Sequence, residues 1–114
     1  MSASVFKVNG TGAAAIATSL TVPAGATYQL ISVTCNLSTA PTTSQAFTIT
    51  LNAHAGAAYD TLLYTLDPST TSVTDILWQP DVPIVLEGGD AIDVAYTNTD
   101  TRTYGVQITA AEVS

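Results

Sequence analysis

Apolar and polar residues alternate with period two along this chain, and no other feature constrains its fold as strongly. Phe47-Thr48-Ile49-Thr50-Leu51, Ile92-Asp93-Val94-Ala95-Tyr96 and Tyr104-Gly105-Val106-Gln107-Ile108-Thr109 all show the pattern. Successive strand side chains point to opposite faces, so each segment offers one oily and one wet face. Two such sheets bury their oily faces against each other. The spacing predicts an all-β fold: a single antiparallel β-sandwich of about eight strands, jelly-roll-like.

Turn signals divide the chain. Residues 5–8 form a short apolar stretch, followed by Asn9-Gly10-Thr11-Gly12, which reads as a loop. Residues 1–12 are therefore either an N-terminal arm or a first edge strand, and 13–114 are the sandwich domain. Extended stretches are expected over 14–22, 28–37, 47–53, 62–66, 73–78, 84–86, 91–96 and 103–110. Pro23-Ala24-Gly25, Asp67-Pro68-Ser69, Gln79-Pro80-Asp81-Val82-Pro83 and Glu87-Gly88-Gly89-Asp90 punctuate them, since Pro presets φ and Gly reaches positive φ. Apolar parity names a core of Ile31, Val33, Cys35, Phe47, Ile49, Leu51, Ile92, Val94, Val106 and Ile108. Tyr96 and Tyr104 share that parity.

With 114 residues, one domain can bury roughly two-thirds of its unfolded surface. Charged residues make up only 10% of the chain, so Thr and Ser hydroxyls supply much of the polar surface. Two Lys/Arg against nine Asp/Glu give a charge of −7, which repels phosphates and anionic lipid. Nucleic acid and membrane are excluded as expected partners. The first residues carry no apolar segment of signal-peptide length, so synthesis in a host cytoplasm without a signal peptide is expected.

Catalytic chemistry finds little footing. His54 is the single histidine and sits among small residues, while Cys35, the single cysteine, has inward parity. No Gly-x-Ser-x-Gly elbow accompanies them, and a metal needs three or four ligands. The expectation is a non-enzyme with no catalytic residues, no cofactor and no metal. Asp90, Asp93, Asn98 and Asp100 offer oxygen ligands for Ca²⁺, against a plainer role as turn and surface residues. Trp78, Tyr59, Tyr64, Tyr96 and Tyr104 are either core or a platform for stacking sugars. Lys7 and Arg102 are the only Lys/Arg residues. With the apolar Val5, Phe6 and Val8, they are the candidate subunit or capsid interface.

Thr21-Val22-Pro23-Ala24-Gly25, Tyr28-Gln29-Leu30 and Tyr59-Asp60-Thr61-Leu62-Leu63-Tyr64 resemble small virion structural proteins of tailed bacteriophages. Leu86-Glu87-Gly88-Gly89-Asp90-Ala91-Ile92 and Thr103-Tyr104-Gly105 extend the likeness. The resemblance implies a capsid decoration or cement protein on the capsid exterior of a virion. Its implied partners are the major capsid protein and copies of itself, as a homotrimer. The alternative is a glycan- or receptor-binding module on a virion surface or tail.

Overall fold

A computed structural model describes residues 4–113, and within them the fold is an all-β sandwich of two antiparallel sheets. Nine strands lie among the described residues: β1 Ser4–Gly12, β2 Ile16–Thr21, β3 Thr27–Leu37, β4 Phe47–Asn52, β5 Thr61–Leu66, β6 Asp75–Trp78, β7 Ile84–Glu87, β8 Ala91–Tyr96 and β9 Tyr104–Glu112. Sheet A runs β1-β9-β3, with β6 and β7 sharing the far edge of β3; sheet B runs β2-β8-β4-β5. The described helical structure is a 3₁₀ turn, Ala57–Tyr59, and the four-residue α1, Pro68–Thr71. Asp67 caps α1 by accepting from the Ser69 and Thr70 N–H groups, and Pro68 presets its first turn.

β3 is the spine of sheet A. Its far half follows the expected parity: Val33, Cys35 and Leu37 point inward. Nearer its start the inward residues are Tyr28 and Leu30, which is the opposite phase. A β-bulge joins the two halves, because the register with β9 passes from Leu30↔Ala110 directly to Ser32↔Thr109. Ile31 is the extra residue and is 39% exposed, which corrects its placement in the core. An inserted residue flips every later side chain to the other face, and that allows both halves of β3 to present their apolar residues to one core.

A second bulge lies between β4 and β5, where Ile49↔Tyr64 is followed by Thr50↔Leu62. Leu63 is half-buried and Leu62 is exposed as a result. Leu51, expected in the core, is half-buried against it. The other expected core residues are buried: Val33, Cys35, Phe47, Ile49, Ile92, Val94, Val106 and Ile108. Ile16, Leu20, Leu30, Ile76 and Leu86 complete the interior with Tyr96 and Tyr104.

Asn9-Gly10-Thr11-Gly12, read as a loop, belongs to β1. That strand runs along β9 of its own chain from Ser4↔Glu112 to Gly12↔Tyr104. Gly10 has a packing reason: a Cβ there would stand 2.7 Å from Thr18 Oγ1 on β2. Here the two sheets approach closely and the sandwich closes, so no side chain fits. At the other end of β1, Phe6 stacks on Tyr28, ring centroids 4.9 Å apart and nearly parallel. Residues 1–3 of the expected arm lie outside the described residues.

Truncating fully buried Ile49 to Ala is expected to cost about 2–5 kcal/mol by lost burial and a cavity. The neighbouring pair in β3 tests the bulge: Leu30→Ala falls in the same range, while Ile31→Ala costs under about 1 kcal/mol. Urea denaturation of the variants measures both, and equal losses at 30 and 31 would refute the bulged register.

Candidate functional site

The outer face of sheet A is built from residues whose inward neighbours form the core. Registry stacks them in rows across the strands. One row is Asn9, Gln107, Thr34 and Leu77; the next is Lys7, Thr109 and Ser32; a third is Val5, Ala111, Gln29 and Val85. Ile31, displaced outward by the bulge, lies beside Ser32, between the second and third rows. This end of the face is aliphatic, and Val5 and Val85 are each 59% exposed. The opposite end is amide-rich. Asn9, Thr34, Asn36, Gln107 and Gly105, over which the Asn36 amide lies, line a shallow groove of about 560 Å³, with Asp75 at its rim. Gln107 donates to Asn9 Oδ1 at 3.0 Å, and Leu77 stands 71% exposed beside them.

Carboxylates are nearly absent from this face. Asp75 at the start of β6 lies opposite Asn36, and Glu87 at the end of β7 lies opposite Thr27. They occupy two corners of one edge, separated along β3 by about 30 Å at 3.4 Å per residue. Among the described residues no strand position between them on the outer face carries a negative charge. Isolated exposed aliphatics are ordinary, but a neutral, partly aliphatic sheet face on a chain of −7 is a surface suited to a partner.

The five residues named from sequence do not form one cluster. Val5, Phe6, Lys7 and Val8 sit together on β1, with Val5 and Lys7 facing outward and Phe6 and Val8 inward. Arg102 lies in the 97–103 loop, beyond the Tyr104 end of β9. Its guanidinium donates to Ala40 O at 3.3 Å, so it holds a loop of its own chain. Sequence reading missed Ile31, Val85 and Leu77. Ile84-Val85-Leu86 is a continuous apolar run without a readable phase, and the bulge at Ile31 leaves no local signature.

Four of the nine acidic side chains, Asp60, Asp67, Asp90 and Asp100, anchor loops. Asp100 accepts from the Thr42 N–H at 2.7 Å and the Thr43 N–H at 2.8 Å, and from the Thr43 hydroxyl. The Thr43 N–H above all holds the Asp100 carboxyl below its usual range, with the Thr43 hydroxyl next. Asp67 accepts from the Ser44 hydroxyl, the main cause of its own lowered pKa. Both carboxylates thus pin residues 38–46. Asp90 closes its turn by accepting from the Glu87 and His54 N–H groups, each at 2.9 Å. Asp93 accepts from Ser19 and Asn52 on the outer face of sheet B. Asn98, 2% exposed, donates to the Ala14 and Arg102 carbonyls and accepts from the Arg102 N–H.

The four oxygen residues that offered a Ca²⁺ set are therefore engaged at different places. Among the described residues, no group of three or more His, Cys, Asp or Glu is placed to hold a metal ion. Burial pushes the Cys35 thiol up to about 11, so it is neutral at physiological pH and a poor nucleophile. His54 covers Gly89, whose positive φ of 91° suits glycine, and a Cβ there would collide with the imidazole. Trp78 and Tyr64 lie at the open edge between β6 and β5, centroids 6.2 Å apart. Leu63, Trp78, Gln79, Asp81 and Ile84 border a cleft of about 270 Å³ there. No described helix is long and apolar enough to cross a membrane. Comparison with protein-family models and with curated protein sequences finds no match.

The loop anchors carry a pH signature. Because Asp100 and Asp67 titrate lower folded than unfolded, their stabilisation is complete well above the unfolded value near 4 and is lost as pH falls through the folded one. Asp100→Asn should therefore melt below wild type at pH 6–7, and the gap should close towards pH 2–3. A gap independent of pH would show that Asp100 does not act as a carboxylate.

Proposed function

We propose that this protein is a non-enzymatic structural component of a phage virion, a decoration or cement protein that binds the capsid exterior and stabilises the shell. Its partners in this reading are the major capsid protein and further copies of itself, in a homotrimer or larger closed set. The observation that carries the proposal is the partly aliphatic, carboxylate-poor outer face of sheet A, on a compact body in which Asp60, Asp67, Asp90 and Asp100 anchor their own loops. Such a surface suits contact with protein, while the chain's net charge of −7 disfavours nucleic acid. Shell stabilisation then follows from mass action: a ligand that binds the assembled lattice and not loose subunits shifts the equilibrium towards the lattice.

The strand order supports the jelly-roll reading of the sandwich. Taking β6 and β7 as one interrupted strand, the chain alternates between sheets at every connection except the β4–β5 hairpin. Cement proteins need a rigid body of this kind and no catalytic cleft.

A second reading, glycan binding, is favoured by the cleft beside Trp78, where an aromatic ring and the polar groups of Gln79 and Asp81 lie together. Sugar recognition uses such pairings of an apolar ring face with amide and carboxylate hydrogen bonds.

Electron microscopy of particles assembled with and without the chain tests the leading reading. Added density on the capsid exterior, with a raised particle melting temperature, is expected. Particles that bind none of the chain, combined with glycan-array binding lost in Trp78→Ala, would replace it with the second.

A further inference from the structure

The row through Lys7, Thr109 and Ser32 crosses the outer face of sheet A from the β1 edge. On the far edge that row ends at residues 79–83, because β6 stops at Trp78, opposite Val33, and β7 starts at Ile84, opposite Leu30. This loop carries Asp81, exposed and bordering the same small cleft as Ile31. One end of the row is therefore cationic and the other anionic. The adjacent row ends in Val5 on one side and Val85 on the other, both exposed.

We propose that this face is an isologous interface with a second copy of the chain, in which Lys7 pairs with the partner's Asp81. A two-fold axis lying along the strands, between β9 and β3, exchanges the β1 edge with the β6–β7 edge. It sets Lys7 of each copy over the partner's Asp81 and Val5 over the partner's Val85, with Ile31 near the middle. One pattern of residues then satisfies both copies, as a two-fold interface requires. Facing sheets stack about 10 Å apart and cross at about 30°. The four strands span roughly 14 Å, so that crossing shifts the ends of a row by only a few ångströms, within reach of a lysine side chain.

Charge decides the occupant. A basic partner is drawn to carboxylates, and this face keeps Asp75 and Glu87 at its corners. Two copies each carrying −7 repel unless they meet where carboxylates are absent or matched by a cation. The face meets that condition, and Lys7 is its one cation. The proposal rests on the self-association in the functional reading and gives it a face and a symmetry. In a trimer the same contact joins two rings.

Charge exchange tests it on the full chain. Sedimentation velocity over a concentration series should show a reversible dimer, or an even-numbered assembly. Lys7→Glu and Asp81→Lys should each weaken association about tenfold or more. The double variant Lys7→Glu/Asp81→Lys should return to within about threefold of wild type. Val85→Glu should abolish association, whereas Leu62→Glu, on the outer face of sheet B, should leave it unchanged. Melting temperatures of the dilute variants confirm that each folds. A chain monomeric at all concentrations, a double variant no better than the singles, or association lost in Leu62→Glu overturns the proposal. Capsid binding, assayed separately on the same variants, separates this failure from that of the virion reading: a monomer that still decorates particles sinks only the dimer.

Discussion

The pairing of β3 with β9 is the contact on which the rest of the structure depends. β9 holds β1 on its other side, and β3 holds β6 and β7 on its own, so every strand of sheet A reaches the sheet through this pair. The interaction is long-range in sequence, and β1–β9 pairs the first described strand with the last. Ordering these segments closes most of the chain into a loop, a cost recovered only when the core forms around Ile108, Val33 and Leu30. Side chains at the two ends of β3 could not share one core without the bulge at Ile31. The same bulge sends an aliphatic residue outward, so the device that completes the interior also creates part of the exposed patch.

The strands were legible in the sequence because alternation and Pro/Gly punctuation are local signals. Phase was legible only where the ladder is unbroken. Val33, Cys35, Ile92, Val94, Val106 and Ile108 follow from parity, while Ile31 and Leu62 escape it because a bulge depends on the partner strand. Gly10 failed for a different reason. Glycine marks both turns and close approaches between elements, and only the position of Thr18 distinguishes them. The neutral face was illegible because its rows draw one residue from each of four strands far apart in sequence. Lys7 and Val5 were visible as candidates; Val85 and Asp81 acquire meaning only from the register that aligns them.

Acidic composition acquires a structural cause in the loops. Asp60, Asp67, Asp90 and Asp100 all accept backbone N–H groups at chain reversals. A carboxylate satisfies several such donors at once, more strongly than a neutral acceptor. Thr and Ser hydroxyls provide the remaining local bonds, as at Thr42, Thr43 and Ser44. Loops tied in this way need few cations, which accounts for four of the nine carboxylates in a compact fold. Arg102 fits the same pattern, since its guanidinium, from the same loop as Asp100, donates to the Ala40 carbonyl of residues 38–46.

This division of labour bears on how the molecule meets others. Negative charge concentrated at loop ends keeps copies apart in most orientations, because like charges at close range cost more than scattered contacts return. The two sheet faces are the exceptions. That of sheet B has one strand carboxylate, Asp93, whereas the outer face of sheet A differs in carrying a lysine and a row of exposed aliphatics. An encounter there meets hydroxyls, amides and aliphatic side chains, with Lys7 near one edge and Asp81 near the other. Edge strands are hazardous when long, flat and apolar. Here β1 carries Lys7 outward on its exposed edge, and the β6–β7 edge is interrupted by Pro80 and Pro83. Strand addition at either edge is thereby discouraged, and contact through the face is favoured over contact through the edge. Orientation is thus selected by what is absent, carboxylate on the sheet and regular backbone at its rim, as much as by the apolar residues present.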